Sequence, residues 1–274
     1  TCSSCNCITF DEWKDMKNRK YLGLNVRLLI DGSYRDFLLD FLRLNEEIND
    51  AQVLSRKIKT SLLNYGINIF DILTCTTDNC PLMARTAELL DLWRIPCVLY
   101  LINLIFQEFI NSIKDKITPI FDIIKYVTNS EHYETFIEQK IKDGSKIRKI
   151  PSYVETRWTS FCDSIIVLYE TRNFVSEFMQ TPKLFNESQE NNLEKLYLFC
   201  EQYKAIVLNY ESDNFGAVGC FLADISLIKE MLSDLENSDF KEGSVNAKAK
   251  IDELSNIHKY FWNNIAPIAL LLNV

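Results

Sequence analysis

Between Leu22 and Ile30 the apolar residues Leu22, Leu24, Val26, Leu28 and Ile30 alternate with Gly23, Asn25, Arg27 and Leu29, and the alternation stops at Asp31-Gly32. A period of two closed by Asp-Gly predicts a β-hairpin, with residues 34–44 as the return strand. Leu54, Ile58, Leu62 and Tyr65 then recur three or four apart up to Gly66, the spacing of an amphipathic helix with a glycine at its end. Residues 67–75 carry Ile67, Ile69, Phe70, Ile72 and Leu73, the composition of a largely buried strand. That run ends in Thr76-Thr77-Asp78-Asn79-Cys80-Pro81, where Pro81 suits a first helical position and Asn79 or Cys80 a cap. From about residue 91 the period is helical: Leu101, Leu104, Ile105 and Phe109, then Ile113, Ile117, Ile120, Phe121 and Ile124, with Thr118-Pro119 as an interruption or kink. Residues 128–152 are polar and read as a loop-rich linker with one short helix near residues 133–141. Further helices are predicted beyond Trp158, over residues 193–210 and 218–235, and, after a loop at 234–245, over about 247–262.

Placed in order, the first part reads strand, strand, strand, helix, strand, helix. The segment Ile8-Thr9-Phe10-Asp11-Glu12-Trp13 supplies the first strand and a carboxylate near its end. This is the opening of a ribonuclease H-like domain, in which the first and fourth strands are neighbours and would bring Asp11 and Asp78 together. The fold class expected is therefore α/β, a ribonuclease H-like mixed sheet core followed by a large all-α region, which the resemblance given below makes an insertion domain. The division is expected at residues 1–110 and 111–274. Asp78 would sit at the carboxyl end of a strand beside a helix N-terminus, where open α/β sheets hold their chemistry. Paired carboxylates offer the hard oxygen ligands that Mg²⁺ or Mn²⁺ take, and such ions stabilise the oxygens of phosphoryl transfer. The competing reading of Asp78 is an aspartate that only turns the chain.

These residues belong to a longer set. Asp78-Asn79 followed by Met83, then Cys97 and Leu101-Ile102-Asn103-Leu104, then Thr156-Arg157-Trp158-Thr159-Ser160, resembles the ordered motifs of hAT-type DNA transposases. Phe10-Asp11-Glu12-Trp13 with Tyr21-Leu22-Gly23 is similar to the segment bearing that family's first catalytic aspartate. Lys259-Tyr260-Phe261-Trp262 and Ile265-Ala266-Pro267-Ile268-Ala269 are similar to its late helical region. The resemblance spans nearly the whole chain, on short motifs whose order is more specific than any one of them. It implies metal-dependent DNA cleavage and strand transfer in the nucleus, with Asp11 and Asp78 as two of three catalytic acids holding Mg²⁺ or Mn²⁺. It also implies DNA as a partner contacted by Arg157 and Trp158, the indole stacking on an exposed base, and oligomer formation through regions outside this chain. Three positions depart from the family. No glutamate stands in a context matching the third acid, which is expected beyond Val274 together with the rest of the core. Tyr100 occupies the histidine position of the Cys-x-x-His pair, and Asn273 that of the aspartate in Leu-Asp-Pro. A silent relative that binds DNA, chromatin or protein partners is the alternative.

Composition changes this picture in places. With 274 residues, 47% of them hydrophobic, the chain can bury one large core or two modest ones. No run of eighteen apolar residues predicts a membrane span, and no signal peptide is read at the N-terminus. The net charge of −8 is awkward for a DNA-binding protein. Two basic segments, Lys14, Lys17, Arg19 and Lys20, and Lys140, Lys142, Lys146, Arg148 and Lys149, are candidate phosphate contacts or plain solvated surface. The nine cysteines are expected as thiols. Cys2, Cys5 and Cys7 lack the fourth ligand that structural zinc needs. Trp13, Trp93 and Trp262 are expected to pack, whereas Trp158 has equal claim to packing and to base stacking.

Overall fold

A computed structural model of the chain describes residues 5–31, 33–44, 50–153, 159–211 and 217–266. Cys2, Arg157, Trp158 and Asn273 lie outside the described residues, and so does the side chain of Cys5. The chain divides into two compact units, Thr1–Leu101 and Ile102–Val274.

The first unit is a five-stranded mixed sheet with helices. Strands β1 (Cys5–Lys14), β2 (Lys20–Ile30) and β3 (Ser33–Leu44) are followed by helix α1 (Ala51–Asn64), strand β4 (Thr74–Thr77), helix α2 (Pro81–Leu90) and strand β5 (Trp93–Pro96). Their order across the sheet is β3-β2-β1-β4-β5. The pairs β1–β2 and β2–β3 are antiparallel, while β1–β4 and β4–β5 are parallel. The β2–β3 turn follows the Asp-Gly signal: Ile30 pairs with Ser33, and Asp31 takes the left-handed conformation, φ 50°. Alternation along β1 sorts its side chains onto two faces. Ile8 and Phe10 are fully buried and join Leu22, Leu24, Leu54, Ile58, Cys75, Met83 and Ala87 in one core. Each such side chain contributes about 1.5–3 kcal/mol through the water it sheds. Thr9, Asp11 and Trp13 lie on the other face.

Two expectations for this unit are corrected. The strand expected over residues 67–75 is shorter and later: Ile69–Asp71 form a 3-10 turn, with the Asn68 side chain accepting from the Phe70 N–H, and only Thr74–Thr77 pair in the sheet. Phe70 and Leu73 are consequently exposed. Helical periodicity from residue 91 hides β5, whose four residues pair with Thr74–Thr77 before α3 begins. Trp93, expected to pack, stands 68% exposed on that strand.

The second unit is helical: α3 (Val98–Ser112, which begins within the first unit), α4 (Lys114–Thr128), α5 (Glu131–Lys142), α6 (Ser160–Phe178), α7 (Glu187–Glu211), α8 (Ala217–Leu235) and α9 (Lys241–Ile257), then a π-helical turn at Phe261–Ile265. Pro119 lies inside α4 and does not end it. The loop expected over 234–245 is shorter than read, because α9 starts at Lys241. Aromatic rings build much of the interior. Phe106 stacks on Tyr203 with centroids 4.0 Å apart, Phe109 meets Phe199 at 4.7 Å, and Trp262 packs edge-on against Phe221 at 4.8 Å. Among the described residues no helix is long and apolar enough to cross a membrane.

Candidate functional site

The register of β1 and β4 sets the geometry of the candidate site. Ile8 is opposite Cys75 and Thr9 opposite Thr76. Asp11 lies two residues beyond Thr9 on β1, on the same face and away from the apolar core, and Asp78 is the residue that directly follows β4. Asp11 lies within the field of Asp78. Asp11 remains exposed, yet its carboxyl is held above the usual carboxylate range, first by the hydration that neighbouring atoms strip from it and then by the charge of Asp78. A hydrogen bond from the Glu12 backbone opposes the shift.

Asp78 also shapes the chain. Its Oδ1 accepts a hydrogen bond from the Cys80 N–H at 3.2 Å, closing the turn that leads into α2. The turn-forming role and the site role therefore coexist in one side chain. Cys80 is the N-cap of α2 without a side-chain cap bond, and Pro81 follows it. Arg94, at mid-strand in β5, braces the same loop: Nη1 donates to the Asp78 carbonyl at 3.0 Å and to Asn79 Oδ1 at 3.3 Å. The Nδ2 of Asn79 is buried without a partner.

Cys97 closes the site from β5. Its N–H donates to the Thr77 carbonyl at 2.9 Å. Burial pushes the Cys97 thiol up, against stabilising hydrogen bonds from the Tyr100 and Leu99 backbones, and the charges of Asp11 and Asp78 raise it further. The cysteine thus sits at the start of α3 within the field of both carboxylates. Arg94 escapes a sequence reading because Trp93-Arg94-Ile95-Pro96 is too short for alternation to stand out beside a long helical period.

Neither basic segment is a free row of cations. Arg19 pairs with Asp15 at 2.5 Å, and Lys20 with Glu12 at 3.2 Å. Lys140 meets Glu177 at 2.6 Å, Arg148 meets Glu170 at 2.5 Å and Lys149 meets Glu134 at 2.7 Å. Such surface pairs are worth about 0–1 kcal/mol, so a phosphate could displace them, but they cut the local excess of positive charge. Beside the carboxylates, Trp13 lies against Gly23, the residue opposite Asp11, and its ring meets Phe41 at 4.8 Å. The packing expected of Trp13 is thus on the outer face of the sheet, where it stays 39% exposed. Among the described residues no group of three or more His, Cys, Asp or Glu side chains could hold a metal ion.

Comparison with protein-family models finds no match, and comparison with curated proteins finds none either.

Proposed function

We propose that this chain is a transposase-derived protein of the hAT type, built on a ribonuclease H-like core, whose ancestral reaction is metal-dependent cleavage and transfer of DNA strands in the nucleus. One observation carries the reading: parallel pairing of β1 with β4 brings Asp11 on β1 and Asp78, directly after β4, close enough for the charge of Asp78 to act on Asp11. Strand order β3-β2-β1-β4-β5, with β2 antiparallel to both neighbours, supports the ribonuclease H-like identity.

The pair suits a hard divalent cation. Both groups are oxygen donors, and their mutual repulsion is relieved when a cation lies between them. Asp11 and Asp78 would hold it, with Asp78 bonding through the oxygen not engaged by the Cys80 N–H. A bound Mg²⁺ or Mn²⁺ supplies Lewis-acid polarisation of a phosphoryl oxygen. The residues of the chain hold the carboxylates in place: Arg94 fixes the Asp78 loop, and the Glu12 backbone donates to Asp11. DNA is the partner of this reading.

A second reading, a catalytically silent DNA- or protein-binding relative, is favoured by a specific observation. One oxygen of Asp78 already serves the turn, and the pair offers two of the three acids that the resemblance calls for. Mg²⁺ sheds water reluctantly, so two carboxylates hold it weakly. The chain by itself is expected to bind Mn²⁺ weakly and to leave DNA uncut. Thermal denaturation with increasing Mn²⁺, run beside a plasmid-nicking assay, tests both readings. A rise in melting temperature that is lost in Asp78→Asn supports the cation site. No rise at millimolar Mn²⁺ removes it and leaves the silent reading, whereas nicking abolished by Asp78→Asn would establish an active enzyme.

A further inference from the structure

A cavity of about 300 Å³ opens beside α3 and α4 in the helical unit, apart from the carboxylate pair. A narrower pocket shares four of its lining residues and deepens it toward Asn103. One wall is aromatic. Phe121 and Tyr153 have ring centroids 5.3 Å apart, Phe121 and Phe161 also 5.3 Å, and Phe106 meets Phe161 edge-on at 5.5 Å.

Along α3 the groove is also amide-rich. Asn103, Gln107 and Asn111 follow one another at intervals of four along α3 and so share one stripe of its surface. Among the described residues, none of the three carboxamides makes a side-chain hydrogen bond. For Gln107 and Asn111, which are exposed, water satisfies them. Asn103 is only 4% exposed as a residue, yet it lines the groove, and its carboxamide is open to that space. Its amide lines the smaller pocket, where it can both donate and accept. Lys114, which forms no ion pair among the described residues, stands at the other end.

We infer that this groove binds a nucleotide, with the base against the aromatic wall, its edge hydrogen-bonded by Asn103 and the neighbouring carboxamides, and the phosphate at Lys114. Aromatic faces stack any base. Carboxamides match the mixed donor and acceptor edges of bases, and a purely apolar ligand would leave Asn103 unpaired. An ammonium at the mouth suits a phosphate as a point charge. The same chemistry is presented by a free nucleotide and by an unpaired strand.

The test titrates the purified chain with AMP, adenosine, a ten-nucleotide single strand and the matching duplex, by calorimetry and by fluorescence anisotropy of labelled oligonucleotides. No divalent cation is present, so failure of the carboxylate pair leaves the measurement untouched. AMP is expected to bind, and Asn103→Leu to weaken it at least tenfold while the melting temperature stays close to that of the natural chain, because leucine has a similar size. Lys114→Gln should weaken AMP and leave adenosine unchanged. Competition between AMP and the single strand identifies an unpaired strand as the ligand, and binding of AMP alone identifies a free nucleotide. If Asn103→Leu does not fold, Tyr153→Ala, at a position 40% exposed, gives the same readout. No binding of AMP or single strand at millimolar concentration overturns the inference, as does affinity unchanged in the variants or a duplex bound as well as the single strand.

Discussion

Alanine at Gly243 should destabilise the helical unit, even though alanine is the better helix former. Gly243 lies in the first turn of α9. A Cβ there would overlap Ile113 Cγ2 and come within 2.9 and 3.1 Å of the Phe109 ring atoms Cδ2 and Cε2. Neither neighbour has room to yield. Ile113 is 1% and Phe109 0% exposed, and the Phe109 ring is held by Phe199 at 4.7 Å and Phe240 at 6.4 Å. The clash is therefore relieved by moving α9 away from α3, or by turning Phe109 off its rotamer. Overpacking of this kind costs about 1–3 kcal/mol, and the helix propensity of alanine over glycine returns at most about 1 kcal/mol. With that return subtracted in full, the net loss is up to about 2 kcal/mol, a fall in melting temperature of up to roughly 8 °C for a unit of this size. Urea and thermal denaturation followed by far-ultraviolet circular dichroism measure it. A double-mutant cycle with Phe109→Leu should show favourable coupling, because both changes act at one contact. Unchanged or increased stability in Gly243→Ala would refute the close approach of these helices.

Two further outcomes follow from buried or crowded polar groups. Because the folded state raises the Asp11 pKa, it binds that proton more tightly than the unfolded chain does; stability is highest below the ordinary carboxylate range and declines as pH climbs through the raised value. Asp11→Asn should therefore gain stability relative to the natural chain at neutral pH and lose that gain in acid, as read from urea midpoints against pH, and a pH-independent difference would contradict it. Tyr203, 1% exposed, carries a buried hydroxyl with no partner among the described residues; Tyr203→Phe removes a group whose desolvation costs about 1–3 kcal/mol. It should be neutral to stabilising in thermal denaturation, and a marked loss would show that the hydroxyl is bonded after all.

Which elements were legible in the sequence follows from their length and from how many signals agreed. The β2–β3 hairpin has eleven- and twelve-residue strands and an Asp-Gly turn, and α1 combines a four-residue period with Gly66 at φ 74°. Local and global preferences coincide there, so the reading and the structure agree. Residues 67–75 fail because hydrophobicity alone does not separate a strand from an apolar turn. Asn68 caps a 3-10 turn with its side chain, a local bond that competes with sheet pairing and leaves Phe70 facing solvent. In β5, four residues carry too little alternation to register, and the parallel neighbour that makes them a strand lies far off in sequence.

The candidate site shows the same division between short-range and long-range information. A strand end followed by Asp78 and Pro81 is visible in the residues themselves, and so is Asp11 as a second carboxylate on an alternating strand. That the two come together depends on the register of β1 against β4, set by the pairing of Ile8 with Cys75 and Thr9 with Thr76, and a slip of one residue would exchange the faces of the strand that slips. Burial of Ile8, Phe10 and Cys75 at 0% opposes that slip, so the apolar side of the sheet determines where the acidic side stands. The groove in the helical unit is less legible still. Asn103 reads in sequence as one polar residue within an apolar helix, and only the approach of α4 and α6, with Tyr153 from the segment before α6, turns the stripe of Asn103, Gln107 and Asn111 into one side of an aromatic-walled space. Its carboxamide makes no hydrogen bond among the described residues and lines the groove, so what fills the groove decides whether that amide is paired.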